Sequence, residues 1–255
     1  MITGANRGIS LALVNETLMR GAKRVYAGTR GPLWHADERV TPLTLDVTDL
    51  SQIQRAAGEV DALDVLINNA GIALYDDVSN SDTIAQQLAV NLLGPFNVTR
   101  AFLPLLKRSR GAIVNNLSLV ACAPLPVIPG YSVSKAAAFS LTQSLRAFLA
   151  GQGVTVHAVF LGPIDTDMNR GFDIPKSPPE AAAAGIFDGL ENGEEDIFPD
   201  PVSRPIGEGW RTGDVRTRRG PMTKERSETH DHRVTTMCLA DQTPKRTGDD
   251  HRERR

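Results

Sequence analysis

The sequence predicts an α/β protein built on a doubly wound parallel sheet, and three observations lead to this prediction. Short apolar runs alternate with segments that carry apolar residues at helical spacing, from the start to about residue 165. A glycine-rich turn precedes the first helical segment. The composition is that of a globular chain, with 41% hydrophobic and 23% charged residues. Strands that alternate with helices form parallel βαβ units, so helices are expected on both faces of the sheet.

The individual elements follow from these patterns. Apolar runs predict buried strands at 24–30, 40–47, 64–71, 111–118 and 154–163. Helical spacing predicts helices within 11–22, 51–60, 83–109 and 131–153, and residues 178–200 predict a helix, an acidic turn and a last short strand. Ligands of such a sheet bind beyond the carboxyl ends of its strands.

Both ends of the chain depart from this pattern. Only Met1 and Ile2 precede the glycine turn, so the first strand is predicted to be largely missing. From Arg211 onward the chain is charged and carries no sustained period. We therefore predict one domain over 1–210 and a disordered charged tail over 211–255. One hypothesis is that both irregularities are errors of the gene model, such as a frameshift, and resequencing the locus would test it.

Charge and cysteine content limit the classes of partner. The net charge of −2 gives no general reason to expect nucleic acid or an anionic membrane. No apolar run approaches the roughly 18 residues that span a bilayer, and the start shows no signal-peptide pattern. Cys122 and Cys238 indicate neither a disulfide framework nor a metal site. We expect a cytoplasmic protein without metal, membrane or nucleic acid partner; DNA binding through the basic tail is the weakest alternative.

The segment "TGANRGIS" at 3–10 is typical of a Rossmann-type phosphate-binding turn. Gly4 and Gly8 stand between a strand remnant and a helix, where a Cβ would block the approach of a pyrophosphate. The helix N-terminus adds unpaired N–H groups and a partial positive charge. Ser10 stands where a third glycine is expected, and its side chain is expected to crowd the contact between helix and strand.

Residues after the next two strands indicate which dinucleotide is bound. Thr29 and Arg30 end the second strand, where an acidic residue would favour NAD and an arginine favours the 2′-phosphate of NADP. Arg7 adds a second cation, so NADP is preferred over NAD. Asp46 is suited to accept a hydrogen bond from adenine or to cap the following helix, and Asp49 is the better candidate for the cap.

The segment "YSVSK" places Tyr131 and Lys135 on one face of a predicted helix. A neighbouring ammonium favours the phenolate and is expected to lower the pKa of Tyr131 from its ordinary value of about 10. A tyrosine so tuned can exchange a proton with a carbonyl oxygen while hydride reaches the carbon. Ser118 ends a strand, where its hydroxyl can hold the same oxygen.

Together these motifs resemble the short-chain dehydrogenase/reductase family, of the NADP-preferring type, from residue 1 to about residue 210. Five ordered motifs carry the resemblance: "TGANRGIS" is similar to TGxxxGxG, "NNAG" at 68–71 to the sheet motif, Asn91 to the catalytic-helix asparagine, "YSVSK" to YxxxK, and "LGPIDTDM" at 161–168 to PGxVxTxM. Ser118 precedes Tyr131 by 13 residues, the family's usual interval. Three departures stand out: Ser10, Leu161 in place of proline, and the missing first strand.

The resemblance implies a role for each matching residue. Tyr131 would be the acid/base and Ser118 would orient the substrate. Lys135 would lower the pKa of Tyr131 and bind the nicotinamide ribose, and Asn91 would hold a water that completes a proton path. The implied cofactor contacts are Gly4, Asn6, Arg7, Gly8 and Ile9 in the turn, Thr29 and Arg30 at the 2′-phosphate, Asp46 and Val47 at adenine, Asn69, Ala70 and Gly71 along the dinucleotide, and Ile164 and Thr166 at the carboxamide.

The implied function is hydride transfer between NADP(H) and a small or medium carbonyl/alcohol pair. The uncharged segment "LVACAPLPVIPG" between Ser118 and Tyr131 favours an apolar substrate, although ordinary loop packing explains it nearly as well. The resemblance also implies a homodimer or homotetramer built on the helices at roughly 83–108 and 131–150. The alternative is a catalytically idle nucleotide-binding or scaffold protein, which Ser10 and the missing strand suggest.

Overall fold

A computed structural model describes residues 1–211 and places seven strands of this part of the chain in one sheet. The strands are β1 (Ile2–Thr3), β2 (Val25–Thr29), β3 (Val40–Thr44), β4 (Val65–Asn68), β5 (Ala112–Asn116), β6 (Thr155–Val159) and β7 (Asp196–Ile197). Their order is β3-β2-β1-β4-β5-β6-β7, and every neighbouring pair is parallel. The predicted Rossmann-type doubly wound sheet is confirmed.

Helices connect the strands on both faces of the sheet. They are α1 (Ile9–Met19), α2 (Leu50–Gly58), α3 (Ser81–Leu88), α4 (Gly94–Ser109), α5 (Pro129–Leu149), α6 (Pro179–Glu191) and α7 (Arg204–Arg211). One apolar layer packs α1 and α6 against the sheet, and Leu13 and Ile186 are fully buried in it. The other packs α2 and α4, with Ile53, Phe102 and Leu106 buried. Full burial of such a side chain stabilises the fold by roughly 1.5–3 kcal/mol.

The first strand is short but central. Ile2 and Thr3 are 1% exposed, and they pair with Ala27 and Gly28 of β2, while Ile2 also pairs with Ile67 of β4. The sheet grows outward in both directions from β1 and β4, so the strand order reverses between them. The carboxyl ends of these two strands therefore form the crevice in which dinucleotides bind on such sheets.

The helix predicted over 83–109 is wrong in one respect, because a π-helical segment at Ala89–Leu93 divides it into α3 and α4. Pro95 has no N–H, so the carbonyl of Asn91 receives no α-helical hydrogen bond. In the resulting bulge the side chain of Asn91 is buried, and its Oδ1 accepts a hydrogen bond from Ile72 N, in the segment after β4. Such bulges are frequent at functional sites.

A row of buried polar side chains lies between the sheet and two helices. Asn68 of β4 donates to Thr99 of α4 at 3.0 Å and to Asn115 of β5 at 2.8 Å. Asn115 donates in turn to Thr142 of α5 at 3.0 Å. The Oδ1 atom of Asn68 has no hydrogen-bond partner among the described residues. The row ties α4 and α5 to the centre of the sheet.

The end of the described chain is the helix α7, which reaches Arg211, one residue past the predicted domain boundary. Trp210 holds this helix: its Nε1 donates to Asp196 at 2.9 Å, and its ring packs on Phe139 and Phe160. The predicted disordered tail falls on 212–255, outside the described residues. No helix within residues 1–211 is long and apolar enough to cross a membrane.

Candidate active site

The glycine turn between β1 and α1 needs its glycines. Gly4 and Gly8 have φ of 70° and 57°, a region that residues with a Cβ rarely adopt. A Cβ on Gly4 would lie 3.0 Å from the Cα of Ala70, and one on Gly8 would lie 3.1 Å from the Cγ2 of Thr166. The turn thus brings three predicted cofactor segments into contact. Because Gly8 has no side chain to cap α1, the first N–H groups of that helix are open to an anion.

Ser10 is not a defect of this turn. Its side chain is 4% exposed, and its Oγ accepts a hydrogen bond from Asn69 Nδ2 at 2.6 Å. The other end of that amide, Oδ1, accepts from Asn116 Nδ2 at 2.7 Å, and the main-chain oxygen of Asn116 accepts from Lys135 Nζ at 2.8 Å. The Ser10 hydroxyl therefore joins α1 to the segment after β4, and the expected crowding of the contact between helix and strand stays a prediction. Three short bonds connect the phosphate-binding turn to Lys135.

Tyr131, Lys135 and Ser118 lie together as predicted. Tyr131 and Lys135 are one turn apart near the start of α5, and Nζ lies 5.7 Å from the centroid of the Tyr131 ring. Ser118, just beyond β5, shares a hydrogen bond with Tyr131, which by itself lowers the pKa of the phenol. Lys135 is 6% exposed, so its ammonium is shielded from bulk water.

The sequence predicts that Lys135 lowers the pKa of Tyr131, and this prediction is wrong for the protein without a bound cofactor. Burial raises the pKa of the hydroxyl to about 12, and the hydrogen bond from Ser118 offsets only part of this rise. Burial also lowers the pKa of Lys135 to about 8. The physical reason is desolvation, which disfavours the charged form of both groups, and it outweighs the attraction between them. The hydroxyl of Tyr131 is therefore protonated at neutral pH.

Asn91 is a buried clamp on the segment that follows β4. Its Oδ1 accepts from Ile72 N at 2.9 Å and its Nδ2 donates to Ile72 O at 2.8 Å and to Ser134 Oγ at 2.9 Å. It also lies beside Gly71, where a Cβ would approach its Oδ1 to 3.2 Å and Lys135 Nζ to 3.7 Å. The water-holding role implied by the resemblance stays a prediction.

The predicted adenine and 2′-phosphate residues follow β1, β2 and β3. Arg30 is exposed and forms no ion pair with any described residue, whereas Arg7 lies 3.9 Å from Asp167 in a solvent-exposed pair. Thr29 is buried and its hydroxyl donates to the main chain of Gly31. Among the described residues Arg7 thus lies near a carboxylate and Arg30 does not, and the contact of either arginine with the 2′-phosphate stays a prediction.

The adenine side is completed by residues after β3. Asp46 Oδ1 accepts from the N and Oγ1 of Thr48, at 2.9 and 2.7 Å. Asp49 accepts from Ser51 N and Gln52 N and caps α2, as the sequence predicts. Val47 is buried against Gly94, where a Cβ would lie 2.8 Å from its Cγ2. The contact of Asp46 with adenine stays a prediction.

Sequence reasoning missed the group that holds the segment after β6. Asp200 is fully buried, and its carboxylate accepts from Gly162 N at 2.9 Å and from the Ser203 hydroxyl at 2.8 Å. Ile164 bridges Ser177, which closes the base of the loop that contains Thr166. An acidic residue between apolar neighbours in "IFPDP" is the only local signal, and it does not reveal the partner. Leu161, which stands in place of the family's proline, is buried in the core.

The residues present fit a bound dinucleotide phosphate. The two positive-φ glycines leave a cradle without side chains at the switch point of the sheet, and an unpaired arginine follows β2. Asn116 Oδ1 is buried without a partner among residues 1–211, which leaves an acceptor beside the same chain of bonds. No cluster of three or more metal-ligating side chains forms in the described part of the chain.

Fold and site together define a Rossmann-type protein in which a serine, a tyrosine and a lysine meet beyond the carboxyl end of β5. The chain belongs to the short chain dehydrogenase family, whose family model matches residues 1–175. It is 32% identical to a short chain dehydrogenase of Monascus ruber over 68% of this chain and 64% of that protein. The chain thus spans less than two thirds of this curated relative.

Solved structures give the same result. A short chain dehydrogenase from Burkholderia cenocepacia in complex with NADP is 37% identical, with a TM-score of 0.78 over 82% of this chain and 91% of that chain. An NADPH-bound carbonyl reductase from chicken fatty liver is 25% identical, with a TM-score of 0.69 over 77% of this chain and 96% of that chain. The predicted family is confirmed.

Proposed function

We propose that this chain is an oxidoreductase that transfers a hydride between NADP(H) and a small or medium, apolar carbonyl/alcohol pair. The observation that carries the proposal is the meeting of Ser118, Tyr131 and Lys135 at the carboxyl end of β5, linked by hydrogen bonds to the glycine turn. The NADP and NADPH held by the two solved relatives support the choice of cofactor. The features that suggested an idle protein, Ser10 and the short β1, both take part in the site.

Bound NADPH supplies the hydride that reaches the carbonyl carbon. The Tyr131 hydroxyl donates its proton to the carbonyl oxygen as negative charge develops there, and the Ser118 hydroxyl donates a hydrogen bond to the same oxygen. Because burial keeps Tyr131 protonated at neutral pH, the site is suited to carbonyl reduction. The Lys135 ammonium stabilises the phenolate that remains and holds the nicotinamide ribose.

The rim of the site supports an apolar substrate. Tyr75, in the segment after β4, stacks on Phe172, in the loop after β6, with ring centroids 5.9 Å apart. Since β5 lies between β4 and β6, this pair passes over the end of the strand that leads to Ser118. Val127 and Met168 expose further apolar surface on the neighbouring loops. Such a rim favours a carbonyl compound with a hydrocarbon or aromatic body.

Tyr131→Phe tests the proposed function. We expect kcat to fall by roughly 10²- to 10⁴-fold because the proton donor is lost, while the Kd for NADPH stays unchanged. Turnover of a panel of carbonyl compounds is followed by NADPH absorbance. Tyr26→Phe makes the same chemical change in β2, away from the reacting atoms, and serves as the matched control. Full turnover by Tyr131→Phe would exclude the mechanism.

Two further proposals concern assembly and location. Leu93, Phe96 and Val133 are exposed apolar side chains on or next to α4 and α5, which supports a homodimer or homotetramer through these helices. Sedimentation of the protein and of Phe96→Glu tests this, and an unchanged monomeric mass for both would exclude it. A cytoplasmic location is supported by the cysteine pattern of the sequence and is tested by cell fractionation.

A further inference from the structure

The helix that carries Tyr131 is capped by a residue from another part of the chain. At the start of α5, Ile128 offers no side-chain acceptor. Instead, Gly130 N donates to Asp76 Oδ2 at 3.1 Å, across 54 residues of sequence. Unpaired N–H groups and the helix dipole both favour a carboxylate at this position. Asp76 therefore acts on the residue directly before Tyr131.

A side chain at position 130 would displace the side chains of Asp76 and Gln87 from this contact. A Cβ on Gly130 would lie 2.8 Å from Asp76 Oδ2 and 2.7 Å from Gln87 Nε2. Real Cβ atoms are not found so close to other heavy atoms. Glycine at this position allows the carboxylate to reach the main chain of α5.

Asp76 is itself held in place. Gln87 is fully buried, its Nε2 donates to Asp76 Oδ2 at 3.3 Å, and its Oε1 accepts from Leu74 N at 3.1 Å. One helical turn later, Asn91 binds both main-chain groups of Ile72. Two carboxamides thus fasten the segment after β4 at alternate residues. Asp76 then joins the end of that segment to α5.

We propose that Asp76 is a positioning residue for Tyr131, because its carboxylate fixes the start of α5 to the wall of the cleft formed by residues 71–76. Gly71, in the same wall, lies beside Lys135, since a Cβ on Gly71 would be 3.7 Å from Nζ. The cap therefore fixes the positions of the Tyr131 phenol and the Lys135 ammonium relative to this wall. The inference rests on the proposed function for its kinetic readout, whereas the placement of Tyr131 is also measurable without turnover.

The kinetic experiment compares Asp76→Ala, Asp76→Asn and the exposed neighbour Asp77→Ala. We expect Asp76→Ala to lower kcat on the order of 10- to 100-fold, as for a small displacement of a reacting group. The Kd for NADPH should stay within about twofold, because the hydrogen bonds of Asp76 go to Val78, Gln87 and Gly130 and not to the glycine turn. Asp76→Asn keeps an oxygen acceptor for Gly130 N and should recover most of kcat. Asp77→Ala should match the wild type.

The second experiment reads Tyr131 directly. The chain has three tyrosines, so Tyr26→Phe/Tyr75→Phe leaves Tyr131 as the single phenol. In this background we expect no phenolate absorbance up to about pH 11, because burial holds the pKa well above its ordinary value of about 10. Adding Asp76→Ala, or Gly130→Ala, should move the ionisation to lower pH as water reaches the phenol.

Full kcat in Asp76→Ala, or an unmoved Tyr131 titration in both cap variants, would overturn the proposal. Should Asp76→Ala fail to fold, Asp76→Asn and Gly130→Ala supply the same two readouts. If Tyr131→Phe retains turnover, the proposed function fails, while the titration still decides whether Asp76 positions Tyr131.

Discussion

Ser10→Ala tests whether the unexpected serine of the glycine turn stabilises the fold. The Ser10 hydroxyl is buried and accepts from Asn69 Nδ2 at 2.6 Å. Its removal leaves that amide with one longer bond, to Thr3 O at 3.3 Å. A buried donor without a good partner costs about 1–3 kcal/mol, so we expect the free energy of unfolding to fall by about 1–2 kcal/mol. For a chain of this size, that corresponds to a drop in Tm of about 2–8 °C.

Urea unfolding followed by circular dichroism measures this change, and the m-value should stay constant. Ser10→Gly should be less stable again, by up to about 1 kcal/mol, because glycine is a poor helix former. Ser140→Ala, at an exposed position of α5, is the matched control and should stay within about 0.5 kcal/mol of the wild type. Equal stability of Ser10→Ala and wild type, or a gain in Ser10→Gly, would refute the reasoning.

Three other predictions follow from the cofactor site. Arg30→Asp should lower the ratio of kcat/KM for NADPH to that for NADH by on the order of 10- to 100-fold, since a charge-assisted bond is lost; an unaltered ratio contradicts the assignment. The Kd for NADPH, measured by titration calorimetry, should be constant at neutral pH and should rise as the pH passes about 8, where Lys135 loses its proton. In Lys135→Met the Kd should not change over this pH range. Gly4→Ala combines a φ of 70° with a Cβ 3.0 Å from the Cα of Ala70, whereas Gly21→Ala has a φ of 84° in open space. Urea unfolding should therefore show a loss for Gly4→Ala that exceeds the roughly 1–2 kcal/mol of φ strain alone, and equal losses would mean that the contact is unimportant.

Much of the fold was predictable because its signals are local. The strands at 24–30 and 111–118 are apolar runs bounded by turns, and the structure places β2 and β5 within them. The four-residue spacing of Tyr131 and Lys135 likewise fixes their common helix face. Where neighbouring residues determine the structure, the sequence suffices.

The remaining features depend on residues far apart in the chain. The cap of Asp76 on Gly130 and the bonds of Asp200 to Gly162 join segments whose pairing no local pattern reveals. The raised pKa of Tyr131 depends on burial by the assembled fold, which outweighs the nearby ammonium. A sequence can place such groups on a helix or strand, but it does not give their depth or their partners.

The polar row from Thr99 through Asn68 and Asn115 to Thr142 has a consequence for mobility. Apolar contacts are non-directional and do not by themselves fix the register of a helix along a sheet, whereas buried hydrogen bonds are directional and weaken steeply when their geometry is lost. The row therefore opposes axial sliding of α4, and of α5, the helix that bears Lys135. Because a buried acceptor without a partner costs free energy, the Oδ1 atom of Asn68, which has no partner among the described residues, reduces the net stabilisation that this row provides.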